Sequence, residues 1–220
     1  FIYLELYYMS YFLTDICQFP LNTVTFILTS TAAVDLIWVF VTGIVLEKCD
    51  FKKMGKYRAW YVIGSPIIIL FFALMFTDFG NSAAAMAIVV VAFCIKTLFQ
   101  DIQSAAVTAQ LSQISDSQQE RTTLSVTRNI GSVAGQLLFS FVGVATITFF
   151  GNVFHVTALG YTAAAIIFTV VNGICHIALY YITKNVPVAK TEEKKEKLSI
   201  GRMFKIFVEN PPLLILSFGD

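Results

Sequence analysis

The feature that most restricts the fold of this chain is a series of long apolar segments separated by short polar ones. A helix that crosses a membrane needs about 20 mostly apolar residues. Six segments meet or approach that length, at residues 1–14, 21–46, 60–76, 83–111, 124–150 and 158–182. Each is expected to be helical, because the lipid interior offers no partner to exposed backbone groups and none of them alternates like a barrel strand. The sequence therefore predicts an all-α, polytopic membrane protein.

Composition supports a membrane protein and argues against several other classes. Only 13% of the residues are charged, which is about half the share found in soluble chains. The net charge is +1 and the charges cluster in short segments, so no surface for nucleic acid is expected. The four cysteines show no CxxC or metal-binding spacing, which indicates packed thiols and no metal site.

Lysine and arginine predict which loops face the cytoplasm. Five of these residues lie in 48–58, one lies at Arg121, and seven lie in 184–205, whereas the three other loops contain none. We therefore expect loops 2–3, 4–5 and 6–7 on the cytoplasmic side of a plasma or inner membrane.

The pattern divides the chain into three regions. We expect a transmembrane bundle over 1–184, a cytoplasmic loop with a short amphipathic helix over 185–210, and the start of a seventh helix over 211–220. The chain begins and ends inside apolar segments, so we interpret it as a fragment. Helices three and six contain no charged residue, and this period of three indicates two three-helix repeats whose third members are peripheral. Gly131 and Gly135 form a small-xxx-small pattern, which favours helix packing.

Five ionisable residues lie inside the predicted spans: Glu5, Asp35, Lys96, Asp101 and Arg128. A charge at the bilayer centre costs at least about 2.5–3.5 kcal/mol, so these groups are expected to face one another or a polar cavity. Lys96 and Asp101 lie about 140° apart around their helix, so each needs a partner on another helix. Three carboxylates face two cations, which leaves one carboxylate to take a proton or a small cation.

The residues alone leave other interpretations of these charges open. Arg128 is close enough to its helix end to reach the lipid headgroups. Lys96 fits a structural counter-ion as well as a ligand contact, and Asp35 and Asp101 fit structural ion pairs.

Several stretches resemble one transporter family. VDLIWVFVTGIVLEKCDFKKMGKYRAW is similar to the second helix and following loop of the glycoside–pentoside–hexuronide:cation symporters, which belong to the major facilitator superfamily. QDIQSAAVTAQLSQISDSQQERTTLSVTRNIGSVAG is similar to their fourth and fifth helices, and ENPPLLIL to the start of their seventh. The resemblance implies the N-terminal half of a twelve-helix sugar transporter. It also implies a co-transported proton or Na⁺ and no other cofactor.

The same resemblance implies roles for individual residues. Asp35 matches a cation-site carboxylate, Asp101 matches a residue that serves both substrate and cation, and Arg128 matches a sugar-binding arginine. Beside them we assign Glu5 to cation coupling and Lys96 to substrate binding. Residues matching the cytoplasmic gating loop are Gly43, Gly55, Lys56, Tyr57 and Arg58.

Departures from the family pattern refine these expectations. Val39 stands where the melibiose-transporter branch has a second Asp, which weakens the case for sodium, an ion that favours several oxygen ligands. A proton needs only one titrating carboxylate, so proton coupling is favoured. Ala105 stands where that branch has a sugar-stacking Trp, so the same sugar is not expected to be held in the same way. Ala59 replaces the usual Pro, and Lys96 is not expected at its position.

The leading hypothesis is therefore cation-coupled transport of a sugar by alternating access. The expected partners are the sugar, the lipid bilayer and the missing C-terminal half. A lipid or lysolipid carrier on the same fold and a non-transporting, receptor-like member are the alternatives. A membrane enzyme is disfavoured, because the sequence contains no HExxH, no GxSxG and no carboxylate-rich metal pair.

Overall fold

The computed structural model describes residues 1–49, 51, 54–114 and 117–184. The elements in this part of the chain are all helical, as the sequence predicts. In chain order they are α1 (Ile2–Tyr11), a π-helical turn (Phe12–Ile16), α2 (Leu21–Lys48), α3 (Arg58–Met75), α4 (Ala83–Ile114), α5 (Gln118–Phe154) and α6 (Thr157–Thr183). Five of them, α2 to α6, are long and apolar enough to cross a membrane. The predicted amphipathic helix in 185–210 and the seventh helix in 211–220 lie outside the described residues.

Local chemistry explains most helix ends. Pro20 precedes α2 and cannot continue a preceding helix. Gly55 adopts a φ of +86° in the turn before α3, a conformation that costs glycine little. Gly80 has a φ of +77° after α3, and its N–H donates to the Asp78 carboxylate at 2.8 Å. His155 ends α5 in the left-handed region with a φ of 52°.

Several helix boundaries differ from the sequence prediction, and two of the differences have a clear reason. Helix α5 begins at Gln118 instead of residue 124, because the polar residues there are good helix formers although they are not apolar enough to count as a span. Helix α1 gives way to a π-helical turn, in which the Cys17 N–H donates to the Phe12 carbonyl at 2.9 Å. Apolar periodicity carries no signal for this wider turn.

An aromatic cluster packs the π turn against α3 and α6. Phe12, Phe72, Phe76 and Tyr161 are all buried. The ring centroids of Phe12 lie 5.3 Å from Phe76 and 5.4 Å from Tyr161. These rings join α3, α6 and the π turn into one core.

A buried polar interface joins α3 to α4. Gln103 is 3% exposed, and its amide donates to the Trp60 and Tyr61 carbonyls and to Ser65 Oγ at 3.0–3.3 Å. Gly64 makes room for it, since a Cβ there would lie 3.0 Å from the Gln103 side chain. α3 also packs along α6. Its peripheral place in a twelve-helix protein stays a prediction.

Glycines show that one face of α5 packs closely against α6 while another face has no close neighbour among the described residues. A Cβ on Gly160 of α6 would collide with the Ile147 carbonyl and with the backbone of Gly151, so the two helices cross closely there. By contrast, no heavy atom of the described residues lies within 4 Å of a Cβ built on Gly131 or Gly135. The described residues therefore hold no partner for this face of α5, and the small-xxx-small contact stays a prediction.

Candidate functional site

A buried ion pair connects α1 to α4. Lys96 is 1% exposed and its ammonium donates to both oxygens of Glu5, at 2.8 Å to Oε1 and 2.6 Å to Oε2. A third contact reaches Gln100 Oε1, one helical turn away, at 3.3 Å. The sequence prediction that Lys96 needs a partner on another helix is confirmed.

Aromatic rings complete the surroundings of the Lys96 ammonium. Nζ lies 4.8 Å from the centroid of the Phe93 ring and 6.0 Å from that of Phe72. Such ring faces attract a cation. The three protons of the ammonium meet three oxygen atoms, so a charge placed this deep is fully satisfied.

Asp35 on α2 and Asp101 on α4 lie close enough to Lys96 and Glu5 to interact with them electrostatically. We call Glu5, Asp35, Lys96 and Asp101 the charged cluster. Within the described residues, Asp35 Oδ1 is buried without a hydrogen-bond partner. The cluster therefore contains one matched pair and two further carboxyl groups.

Trp38 holds α2 against α4 beside the cluster. Its indole N–H donates to the Cys94 carbonyl at 2.9 Å. Trp38 lies three residues after Asp35, and Cys94 lies two residues before Lys96. This hydrogen bond sets the position of the Asp35 turn relative to the Lys96 turn.

Arg128 lies in a different place from the charged cluster. Its guanidinium donates to Thr108 Oγ1 at 2.9 Å and to Ser104 Oγ at 3.4 Å. It lines a cavity of about 370 Å³ between α4, α5, α6 and the start of α1, which we call the arginine cavity. The polar residues of its wall are Gln100, Gln103, Ser104, Arg128, Asn172 and His176. Arg128 thus links α5 to α4.

The structure brings four of the five predicted charges together and separates the fifth. Glu5, Asp35, Lys96 and Asp101 form the cluster, whereas Asp101 is not part of the wall of the arginine cavity. Gln100 was not singled out from the sequence, yet it contacts Lys96 and also lines that cavity. Its position one turn after Lys96 was the available signal, since residues four apart share a helix face.

A second cavity of about 580 Å³ lies at the other end of α5, beside Tyr8, Asn152 and Tyr161. None of the described residues in its wall is Asp, Glu, Lys or Arg. Its polar side chains include Asn152 and His155.

The residues assigned to the gating loop surround the start of α3. The Lys56 ammonium lies 5.6 Å from the centroid of the Tyr57 ring. Arg58 Nη1 donates to the Lys184 carbonyl at the end of α6, at 2.7 Å, where a cation is also favoured by the helix dipole. Gly43 lies within α2, as its predicted span over 21–46 implies, and its role in gating stays a prediction.

These features define a polytopic helical membrane protein with buried charges, and a family comparison agrees. The model of the family described as "MFS/sugar transport protein" matches residues 3–220. The chain belongs to this family. Membership confirms the resemblance noted in the sequence and the major-facilitator fold.

Two curated relatives are similar to the chain. An uncharacterized symporter, YjmB, of Bacillus subtilis (strain 168) is 25% identical over 217 residues, covering 96% of this chain and 45% of the relative. A lactose permease of Lactobacillus delbrueckii subsp. bulgaricus is 26% identical over 176 residues, covering 76% of this chain and 28% of the relative. The chain thus spans less than half of the length of these relatives.

Proposed function

We propose that the protein containing this chain transports a sugar or glycoside across a cell membrane in symport with a cation, and that the cation is a proton. The observation that carries this proposal is the pairing within the charged cluster. Lys96 neutralises Glu5, while Asp35 has a buried oxygen with no partner among the described residues. A buried carboxyl group without a partner is a natural place for a proton to bind.

The family and its named relatives support a sugar as the proposed substrate. The family description specifies sugar transport, one relative is a symporter, and the name of the other specifies lactose. For this chain, a glycoside, pentoside or hexuronide is the proposed substrate.

The arginine cavity is the proposed contact surface for the sugar. Arg128 already donates to two hydroxyl groups, those of Ser104 and Thr108, and a sugar offers hydroxyl groups of the same kind. A guanidinium would also bind the carboxylate of a uronate in a bidentate manner. In this proposal Asp101 acts mainly on the cation side, because it lies beside Asp35 and Lys96.

The proposed mechanism is alternating access driven by a change of charge. Protonation of Asp35 would remove one negative charge from the cluster and lower the cost of closing the protein around it. A ligand shifts such an equilibrium only by its differential affinity for the two states. The proton and the sugar would therefore each favour the closed form, and together they would cross.

The test uses the full-length parent protein in proteoliposomes. Uptake of labelled galactosides, xylosides and glucuronides is measured under an imposed proton gradient and then under a sodium gradient. Asp35→Asn is compared with Asp15→Asn, a matched control whose carboxylate accepts a hydrogen bond from Thr14 at the end of the π turn.

We expect proton-driven uptake of at least one sugar class, lost in Asp35→Asn and retained in Asp15→Asn. Uptake that no gradient stimulates would contradict symport. If no sugar is taken up, labelled lysophospholipid becomes the next substrate to test, since a lipid carrier was the alternative within the same fold.

A further inference from the structure

The Lys96 ammonium occupies a position built like a cation site. Glu5 Oε1, Glu5 Oε2 and Gln100 Oε1 converge on Nζ at 2.8, 2.6 and 3.3 Å. Two of these atoms are carboxylate oxygens and the third is an amide oxygen. Hard metal cations bind oxygen atoms of these two kinds. These three oxygens are of the kind that binds a small metal cation. In this structure they bind the Lys96 ammonium instead.

The ammonium is enclosed by its described neighbours. Lys96 is 1% exposed, and Phe93 and Phe72 face its charged end. An unpaired ammonium in the membrane interior would be costly. A free cation would therefore have to displace a covalently attached one from oxygens it already holds.

Charge balance points in the same direction. With Lys96 present, the cluster contains three carboxyl groups and one fixed positive charge, and Glu5 is the group that is matched. Without the ammonium, the two Glu5 oxygens and the Gln100 oxygen would face one another with no cation, next to Asp35 and Asp101.

We propose that Lys96 is a built-in cation that excludes sodium from the charged cluster, and that this exclusion leaves the proton as the coupling ion. The expected effect on sugar uptake rests on the proposed function. The expected effect on Na⁺ binding does not, because sodium binding is measured without any sugar.

The experiment measures ²²Na⁺ binding to the purified full-length protein by scintillation proximity. The wild type is compared with Lys96→Met and Lys96→Arg. We expect no saturable binding in the wild type or in Lys96→Arg, which retains a positive charge. In Lys96→Met saturable binding is expected to appear, with an apparent affinity at least about tenfold above the weakest that the assay detects, because a repelling unit charge within contact distance is removed.

A second variant keeps the proposal testable if Lys96→Met folds poorly with Glu5 unpaired. The double variant Glu5→Gln/Lys96→Met replaces the pair by two uncharged side chains and is expected to fold without binding Na⁺. Saturable Na⁺ binding by the wild type would overturn the proposal. So would a folded Lys96→Met protein, monodisperse on size exclusion, that gains no binding over the double variant.

The transport arm separates this proposal from the proposed function. A sodium gradient is expected to stimulate sugar uptake in Lys96→Met and to leave the wild type unchanged. Wild-type uptake driven by sodium would overturn the inference while supporting sugar symport. Exclusion of Na⁺ by the wild type together with its binding by Lys96→Met would support the inference even if no sugar were transported.

Discussion

At the residue scale, the Glu5–Lys96 ion pair is expected to be costly to break. Its two members lie 91 positions apart in the sequence and join α1 to α4. Removal of one partner from a buried pair leaves the other charge without compensation, which is usually worse than removing both. The pair therefore links the fold of the bundle to the electrostatics of the site.

We predict that Glu5→Gln destabilises the full-length protein by about 3–5 kcal/mol, because Lys96 would remain charged and buried. Glu47→Gln is the matched control, since Glu47 is exposed near the end of α2, and about 0.5 kcal/mol or less is expected for it. Thermal unfolding of the detergent-purified protein measures both. Equal effects of the two variants would show that the pair contributes nothing specific to stability.

Cys17 gives a prediction with a defined pH dependence. Burial raises the pKa of its thiol to about 12, and the neighbouring Asp78 carboxylate adds to the increase. Because the raised pKa favours the neutral thiol and the thiolate is the reactive form, Cys17 stays protonated from pH 7 to 10. We expect its maleimide labelling to remain slow over this range in the folded protein.

The measurement uses full-length variants that retain a single cysteine, at Cys17 or at Cys49. Cys49 lies half-buried at the end of α2 and is expected to label faster. Denaturation in detergent should remove the difference, because an ordinary thiol has a pKa near 8.5. Rapid labelling of folded Cys17 at pH 7 would contradict the structure.

At the element scale, α5 crosses α6 closely on one face and has no close described neighbour on the face of Gly131 and Gly135. Gly160 lies against the backbone of α5, whereas Gly131 and Gly135 meet no described atom within 4 Å. All three are glycines in apolar helices, but the sequence pattern singled out Gly131 and Gly135, whereas the close contact among the described residues is at Gly160. A motif of small residues identifies a face that is able to pack, and only the neighbouring helix determines whether it does.

We predict that Gly160→Ala destabilises the protein by about 1–3 kcal/mol or more, because its methyl group would overlap backbone atoms that have little room to move. Gly131→Ala is the matched control and is expected to be neutral or stabilising by about 0.5–1 kcal/mol, since alanine favours helices over glycine. Thermal unfolding of both variants provides the comparison. A large loss in Gly131→Ala would reveal a partner for that face outside the described residues.

At the scale of the whole molecule, the described helices leave extensive apolar surface exposed. Leu36, Ile37 and Val39 on α2 and Leu137, Leu138 and Phe141 on α5 are each more than half exposed. Such a surface fits contact with lipid or with further helices of the same chain. The family relatives, which are more than twice as long as the matched segment, leave room for such helices.

Membrane sidedness gives a prediction at this scale. Lys56 lies in the α2–α3 turn and Asn81 lies in the α3–α4 loop, at opposite ends of α3. The charge distribution places the Lys56 end in the cytoplasm. In a cysteine-less full-length background, Asn81→Cys should react with an impermeant maleimide added outside cells, and Lys56→Cys should react only in inverted vesicles. Labelling of both sites from one side would exclude a spanning α3.

The sequence by itself determined the helical fold, the approximate span boundaries and the list of charged residues within the spans. It could do so because the cost of exposing backbone and charge to lipid acts on each segment separately. Only the tertiary structure decided that Lys96 pairs with Glu5, that Arg128 lies apart in its own cavity, and that Gln100 connects the two places. Helical periodicity sets angles within one helix. The rotation of one helix against another depends on contacts such as Gln103 with α3 and Gly160 with α5, which form between residues distant in sequence.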